Sequence, residues 1–230
     1  MVLFALALAL QEFSGASQPQ VAVAPDGKIN VVFIHDGNIK VAADGGAAVT
    51  AIDAGGRIQG GKRRGPRIGV DAKGNLVVTA PACFDEAEFS KKYPTNELWL
   101  VRSEDGGKTW TKPVQINDVP KKAPESLHWM AVDDDGVAHV AWLDMRDGGK
   151  QAVWYAPISG DKVGKNQKLA GAVCECCAPG LALDGKGNPY MVVREGEKSD
   201  RGILLAFSTN GGKSWKKPTA VQDAGSNVDG

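Results

Sequence analysis

Apolar and polar residues alternate in short runs along most of the chain, and turns rich in Asp, Asn and Gly separate the runs. Four stretches repeat one design: an alternating apolar run, a turn closed by glycine, then a second apolar run. They are Val21 to Gly27 (VAVAPDG), Ile68 to Gly74 (IGVDAKG), Met130 to Gly136 (MAVDDDG) and Leu181 to Gly187 (LALDGKG). Each leads into a β-rich segment, such as Leu76-Val77-Val78 or Tyr190-Met191-Val192-Val193. Alternation at period two marks a half-buried strand. Asp hydrogen-bonds the turn backbone and Gly accepts the positive φ at its end, so each stretch predicts a β-hairpin. The turn glycines Gly27, Gly74, Gly136 and Gly187 are 47, 62 and 51 residues apart. That interval fits one four-stranded antiparallel blade of a β-propeller with its loops. A helical solenoid of similar period is disfavoured, because the segments alternate at period two and are full of Gly and Val.

A second element repeats inside this pattern. Ser103-Glu104-Asp105-Gly106-Gly107-Lys108-Thr109-Trp110 and Ser208-Thr209-Asn210-Gly211-Gly212-Lys213-Ser214-Trp215 share the form S-x-[DN]-G-G-x-[TS]-W. Each follows a strand-like run and precedes a Lys-Pro step, Lys112-Pro113 or Lys217-Pro218. Paired glycines allow a sharp reversal, and the Asp or Asn oxygen accepts its backbone N–H groups. The Trp supplies a large apolar body to bury against the next strand. Asp44-Gly45-Gly46 reads as a worn copy.

These octets match the Asp-box (BNR) repeat and resemble its use in sialidase-superfamily propellers, over most of residues 19–223. The resemblance implies a six-bladed ring of which about four blades are covered here, an incomplete C-terminal side, and a structural role for Ser103, Asp105, Gly107, Trp110, Ser208, Asn210, Gly212 and Trp215. It also implies three arginines that grip a substrate carboxylate, an Asp acid/base, and a Tyr nucleophile activated by Glu. Planar guanidinium forks suit a carboxylate because they bind it bidentately. Pro66-Arg67-Ile68-Gly69 stands where sialidases carry Arg-Ile-Pro, without the proline after Ile68. Arg67 is therefore a candidate carboxylate ligand, against the plainer reading of a strand-end arginine in an ion pair. Asp85, in the segment Pro81 to Glu88, lies about where the family's acid/base belongs, and the alternative is a surface acidic loop. Arg146 and Arg194 stand at matching strand ends, with Arg201 nearby, where one propeller rim would gather them as further anion ligands. Tyr93, Tyr155 and Tyr190 all lack the family's nucleophile setting. The expected activity is thus a glycoside hydrolase acting on sialic acid or another acidic sugar, and the competing reading is a non-catalytic glycan- or protein-binding propeller.

Cysteine changes the picture further. Cys174, Cys176 and Cys177 fall within four residues, and Cys83 lies in the acidic segment. Two readings stand: disulfides, one of them to Cys83, or a soft metal site for Cu(I) or Zn²⁺. The spacing matches neither a zinc-ribbon C-x-x-C nor a haem C-x-x-C-H. His35, His128 and His139 are scattered without metal-ligand spacing, and no cofactor is expected.

The 29 Gly and 12 Pro are spread through the chain, as an all-β protein with many tight turns requires. The 27 basic and 27 acidic residues cancel, so no global field favours nucleic acid. The one basic cluster, Lys62-Arg63-Arg64 with Arg67, sits between glycines and a proline and reads as a solvated loop. The first ten residues, MVLFALALAL, form an apolar run too short to span a bilayer, and Ser14-Gly15-Ala16 has the small-x-small form of a cleavage site. Residues 1–16 therefore predict an export signal and residues 17–230 the propeller, placing the protein outside the cytoplasm: secreted, periplasmic or at the cell surface. No later segment predicts a membrane span.

Overall fold

The structure is a computed structural model that describes residues 13–58, 60–61, 64–92, 94–123, 127–196 and 202–222. Four antiparallel sheets follow one another along the chain. The first holds β1 (Ser17–Val23), β2 (Ile29–His35), β3 (Asn38–Ala43) and β4 (Val49–Ile52) in that order. The second holds β5 (Arg67–Val70), β6 (Leu76–Ala82), β7 (Glu97–Ser103) and β8 (Val114–Gln115), with the one short helix, α1 (Glu86–Phe89), between β6 and β7. The third holds β9 (His128–Val132), β10 (Ala138–Asp144), β11 (Ala152–Ser159), β12 (Lys162–Val163) and β13 (Gln167–Ala170), with both β12 and β13 paired to β11. The fourth holds β14 (Gly180–Leu183), β15 (Pro189–Arg194), β16 (Ile203–Phe207) and β17 (Thr219–Gln222). Among the described residues no helix is long and apolar enough to cross a membrane.

The four repeated stretches form the hairpins between the first and second strands of each sheet. Asp71 shows how the turns close. Its Oδ1 accepts from the N–H groups of Lys73 and Asn75 (2.9 and 2.8 Å), and its Oδ2 from the Asn75 amide (2.8 Å). Asp184 repeats this on Lys186 and Asn188.

The apolar clusters lie between sheets. Val32, Ile39, Leu76 and Val78 join the first sheet to the second; Val77, Leu100, Met130 and Trp142 join the second to the third; Leu143, Val153, Met191 and Ala206 join the third to the fourth. Their first strands are neighbours in the order β1, β5, β9, β14. Polar ties reinforce these joins. Arg102 on β7 donates to the carbonyls of Gly136, Ile158 and Gly160 of the third sheet at 2.8–2.9 Å, and Thr79 Oγ1 meets His128 Nε2 at 3.0 Å. On the outer side of the fourth sheet Tyr190, Val192 and Val221 remain exposed.

Antiparallel pairing sorts the loops onto two ends. The starts of β1, β5, β9 and β14 and the ends of β2, β6, β10 and β15 share one end, here the upper end. The Asp-Gly hairpins and both octets lie at the other. Residues 13–16, expected to close the leader, form a turn in which the Phe13 ring packs on Phe33 at 4.7 Å and Ser14 O meets His35 Nε2 at 3.1 Å. Residues 1–12 of that leader lie outside the described residues.

Candidate functional site

The upper end brings together most of the residues singled out for chemistry. Arg67 opens β5, and Trp129 is the second residue of β9 on the neighbouring sheet. The repeat register pairs them, since Ile68-Gly69-Val70 corresponds to Met130-Ala131-Val132. The Arg67 guanidinium lies over the Trp129 ring at 4.6 Å, within cation–π range. Its Nη1 donates to the Pro66 carbonyl at 3.2 Å, while its Nε is buried without a hydrogen-bond partner. No carboxylate of the described residues pairs with it, and burial lowers its pKa. Arg67 is thus a half-buried cation with an aromatic floor and, among the described residues, no counter-ion.

Arg146 is placed differently. It follows β10 with its side chain 8% exposed, its Nη2 bonds the fully buried Asp144 at 2.6 Å, and its Nη1 bonds Asp118. The guanidinium also covers the Trp154 ring at 4.1 Å. Burial would lower its pKa, but the Asp144 and Asp118 carboxylates outweigh that and hold it above the ordinary value. Its charge is shared between the buried Asp144 and the exposed Asp118, so unlike Arg67 it already has two carboxylate partners.

Asp85 is the N-cap of α1: its carboxylate accepts from Glu88 N at 3.1 Å. The side chain is about half exposed, 3.8 Å from Lys121 Nζ, and has no contact with Arg67. Behind it Glu88 is buried, and Lys91 (2.5 Å), Thr95 N (3.2 Å) and Lys121 (3.3 Å) hold its pKa down to about 2. Arg57, which the sequence reading passed over, reaches this loop by donating Nε to Cys83 O at 3.2 Å. Arg194 ends β15 beside Cys177, whose thiol pKa it lowers. Arg201, Tyr93, Lys62 and Arg63 lie outside the described residues.

No disulfide joins the four cysteines. The sulfurs of Cys174, Cys176 and Cys177 lie within 4.8 Å of one another, and Cys174 and Cys176 are 3.4 Å apart. Cys83 stays out of that group, donating its thiol to Asp85 O at 3.2 Å. The expected bridge from the cluster to Cys83 is therefore not formed. Burial raises the pKa of both Cys83 and Cys177, and at Cys177 Arg194 partly counters it.

At the lower end the two octets fold as matching turns. Asp105 Oδ1 accepts from Ser103 Oγ, Lys108 N and Thr109 N, and Oδ2 accepts from Thr109 Oγ1 at 2.6 Å. These donors hold its pKa below the usual carboxylate range, led by Thr109. Ser103 Oγ accepts from Gly107 N, and Trp110 Nε1 donates to Gly107 O. In the second turn Ser208 Oγ accepts from Gly212 N at 2.9 Å, and Asn210 Oδ1 accepts from Ser214 N at 3.0 Å. Trp215 packs edge-on to Tyr155 at 4.7 Å. Tyr155 is fully buried and bonds His139 Nδ1 at 2.7 Å; burial raises its pKa and lowers that of His139. A buried, protonated phenol at the lower end is no nucleophile for the upper one. Tyr190 stacks on Phe207 within the fourth sheet.

No protein-family model matches the chain, and no curated protein matches it in sequence. Solved structures do match in fold. Hadza microbial sialidase Hz136 aligns over 86% of this chain and 45% of its own, with 17% identity and a TM-score of 0.56. An ulvan lyase, a polysaccharide lyase bound to GlcA(1-4)Rha3S, aligns over 90% and 56%, with 12% identity and a TM-score of 0.61. The fucose-recognising lectin of Aleuria aurantia, a six-bladed β-propeller, aligns over 90% and 61%, with 14% identity and a TM-score of 0.52. The fold is a β-propeller. The four sheets are its blades 1 to 4, and the chain spans about half the length of the sialidase and lyase it matches. In this setting the upper end of the propeller is the face where the first strands of the blades begin, and Arg67 and Trp129 sit on it side by side.

Proposed function

We propose that this chain is the glycan-binding part of an exported, sialidase-like propeller, and that it takes an acidic sugar by its carboxylate on Arg67. The observation that carries this reading is the unpaired, half-buried guanidinium stacked on Trp129. A carboxylate would supply the acceptor that this cation lacks, and such a charge-assisted, bidentate contact is among the stronger ones a protein makes. Trp129 would hold the guanidinium flat and offer apolar surface beside the sugar ring. Sialidase and ulvan lyase neighbours, and the resemblance of both octets to the Asp-box turn, support an acidic-glycan setting on this fold. Export fits the apolar N-terminal run.

The test is binding of sialyl- and uronate-containing oligosaccharides to the full chain by calorimetry, with Arg67→Ala and Trp129→Ala. Truncating one member of a desolvated charge pair costs roughly 2 kcal/mol or more, so Arg67→Ala should lose about thirtyfold in affinity. An unchanged affinity would refute the site. A second reading, hydrolysis of a sialoside, is favoured by one observation: the half-exposed carboxylate of Asp85 shares the upper end with Arg67. Turnover of an aryl sialoside that vanishes in Asp85→Asn would establish it, and turnover unaffected by Asp85→Asn would exclude Asp85 as the acid.

A further inference from the structure

A cavity of about 690 Å³ opens at the upper end between blades 3 and 4. Cys174, Cys176, Lys150 and Gln151 line it. The cysteine loop that borders it is pinned from both blades. Val173 N donates to Gln151 O of blade 3 at 3.1 Å, and Cys174 N donates to Arg194 O of blade 4 at 2.9 Å. Gly196 N closes the loop onto Ala172 O at 2.9 Å. Only glycine permits that approach, because a Cβ at 196 would lie 2.4 Å from Val173 O. Ala172 itself holds φ at +54°, a conformation that an alanine adopts only when its surroundings enforce it.

Inside this braced loop the sulfurs of Cys174, Cys176 and Cys177 all lie within 4.8 Å of one another. Thiolates bound to one ion at about 2.3 Å sit roughly 3.8 Å apart, so the three are already in range of a common centre. Gln151 gives a second sign that the cavity is made for a guest. Its side chain is 5% exposed, it lines the same space, and its Oε1 has no hydrogen-bond partner. A buried acceptor left unpaired is costly and needs a reason.

We propose that Cys174, Cys176 and Cys177 form a three-thiolate site for a single Cu(I) ion. An all-sulfur donor set selects soft ions. A closed zinc site takes four ligands, and an iron–sulfur cluster takes four cysteines. The described residues bring three sulfurs to this point. Cu(I), a soft d¹⁰ ion, is content with three. Binding is an exchange of protons for metal: three thiols lose three protons to solvent, three Cu–S bonds form, and the copper stays monovalent. The product carries two net negative charges. Lys150 lines the same cavity and Arg194 lies beside Cys177, so two cations border the site and would offset part of that charge.

The test is an anaerobic titration of the reduced full chain with Cu(I), competed against bicinchoninate. One Cu(I) per chain should be retained, with thiolate-to-copper absorption in the near ultraviolet and three Cu–S contacts at about 2.3 Å by X-ray absorption. Cys176→Ser, whose side chain is exposed and therefore not needed for packing, should weaken binding by about a hundredfold while circular dichroism stays unchanged. Cys83→Ser, outside the cluster, should keep full occupancy. Loss of all copper to the chelator, wild-type affinity in Cys176→Ser, or equal occupancy by Zn(II) in direct competition would each overturn the assignment. So would recovery of the cluster as a disulfide from native protein isolated without reductant.

Discussion

Two adjacent glycines in the second octet provide a sharp test of how the lower end is built. Gly211 and Gly212 both have positive φ, +68° and +81°, so alanine at either carries the same backbone strain, about 1–2 kcal/mol. Their surroundings differ. A Cβ at Gly211 meets nothing within 4 Å, whereas one at Gly212 would lie 1.9 Å from the Tyr155 hydroxyl. Tyr155 cannot retreat freely, because it is fully buried, bonds His139 and packs against Trp215. Overpacking of that kind costs about 1–3 kcal/mol, and losing the Tyr155–His139 hydrogen bond adds about 1 kcal/mol. Gly212→Ala should therefore destabilise by about 2–4 kcal/mol more than Gly211→Ala. Urea unfolding followed by tryptophan fluorescence and far-ultraviolet dichroism measures both, with coincident transitions required before the free energies are compared. Midpoints that give the two variants equal stability within about 0.5 kcal/mol would refute the reasoning.

Three further outcomes follow from the geometry. Arg146→Ala leaves Asp144 buried without its main cation, and the loss should be about 3–5 kcal/mol by the same urea assay. Glu88 contributes stability that is complete above its ordinary pKa of 4.5 and is lost as pH falls toward its folded value of about 2. A Glu88→Gln variant should accordingly flatten the fall of the urea midpoint across that window. Replacing Thr79 by Val removes one buried hydrogen bond of His128 and should cost about 0.5–1.5 kcal/mol, read as a lower urea midpoint.

The hairpins and both octets were legible in the sequence because their information is local: an Asp or Ser side chain and a glycine a few residues away close each turn. The blades followed from the spacing of those turns. Arg67 was legible as a candidate, and the same repeat register would have delivered Trp129, which holds the matching position one blade on. Asp85 carried a signal of the opposite kind. Asp85-Glu86-Ala87-Glu88 has the spacing of a helix N-cap followed by an acidic first turn, and the structure uses it so. Of Arg146's two carboxylate partners, Asp144 stands two residues before it, while the other is hidden from local reading. Asp118 is 28 residues away and meets Arg146 only when blades 2 and 3 close. Arg102 escaped notice for the same reason, since its three acceptors are backbone carbonyls of the next blade. Disulfide and metal readings of the cysteines could not be separated by spacing. What decides between Cys83 and the cluster is which loops the fold brings together.

The central claim is that Arg67 receives the carboxylate of an acidic sugar. It is tested most directly by measuring the affinity of one acidic oligosaccharide and of its carboxyl-reduced, neutral counterpart for the wild-type chain and for Arg67→Ala. The account predicts that the wild type prefers the acidic form by at least about tenfold and that the variant binds the two forms alike. A wild type that binds both equally, or a variant that keeps the full preference, would contradict it.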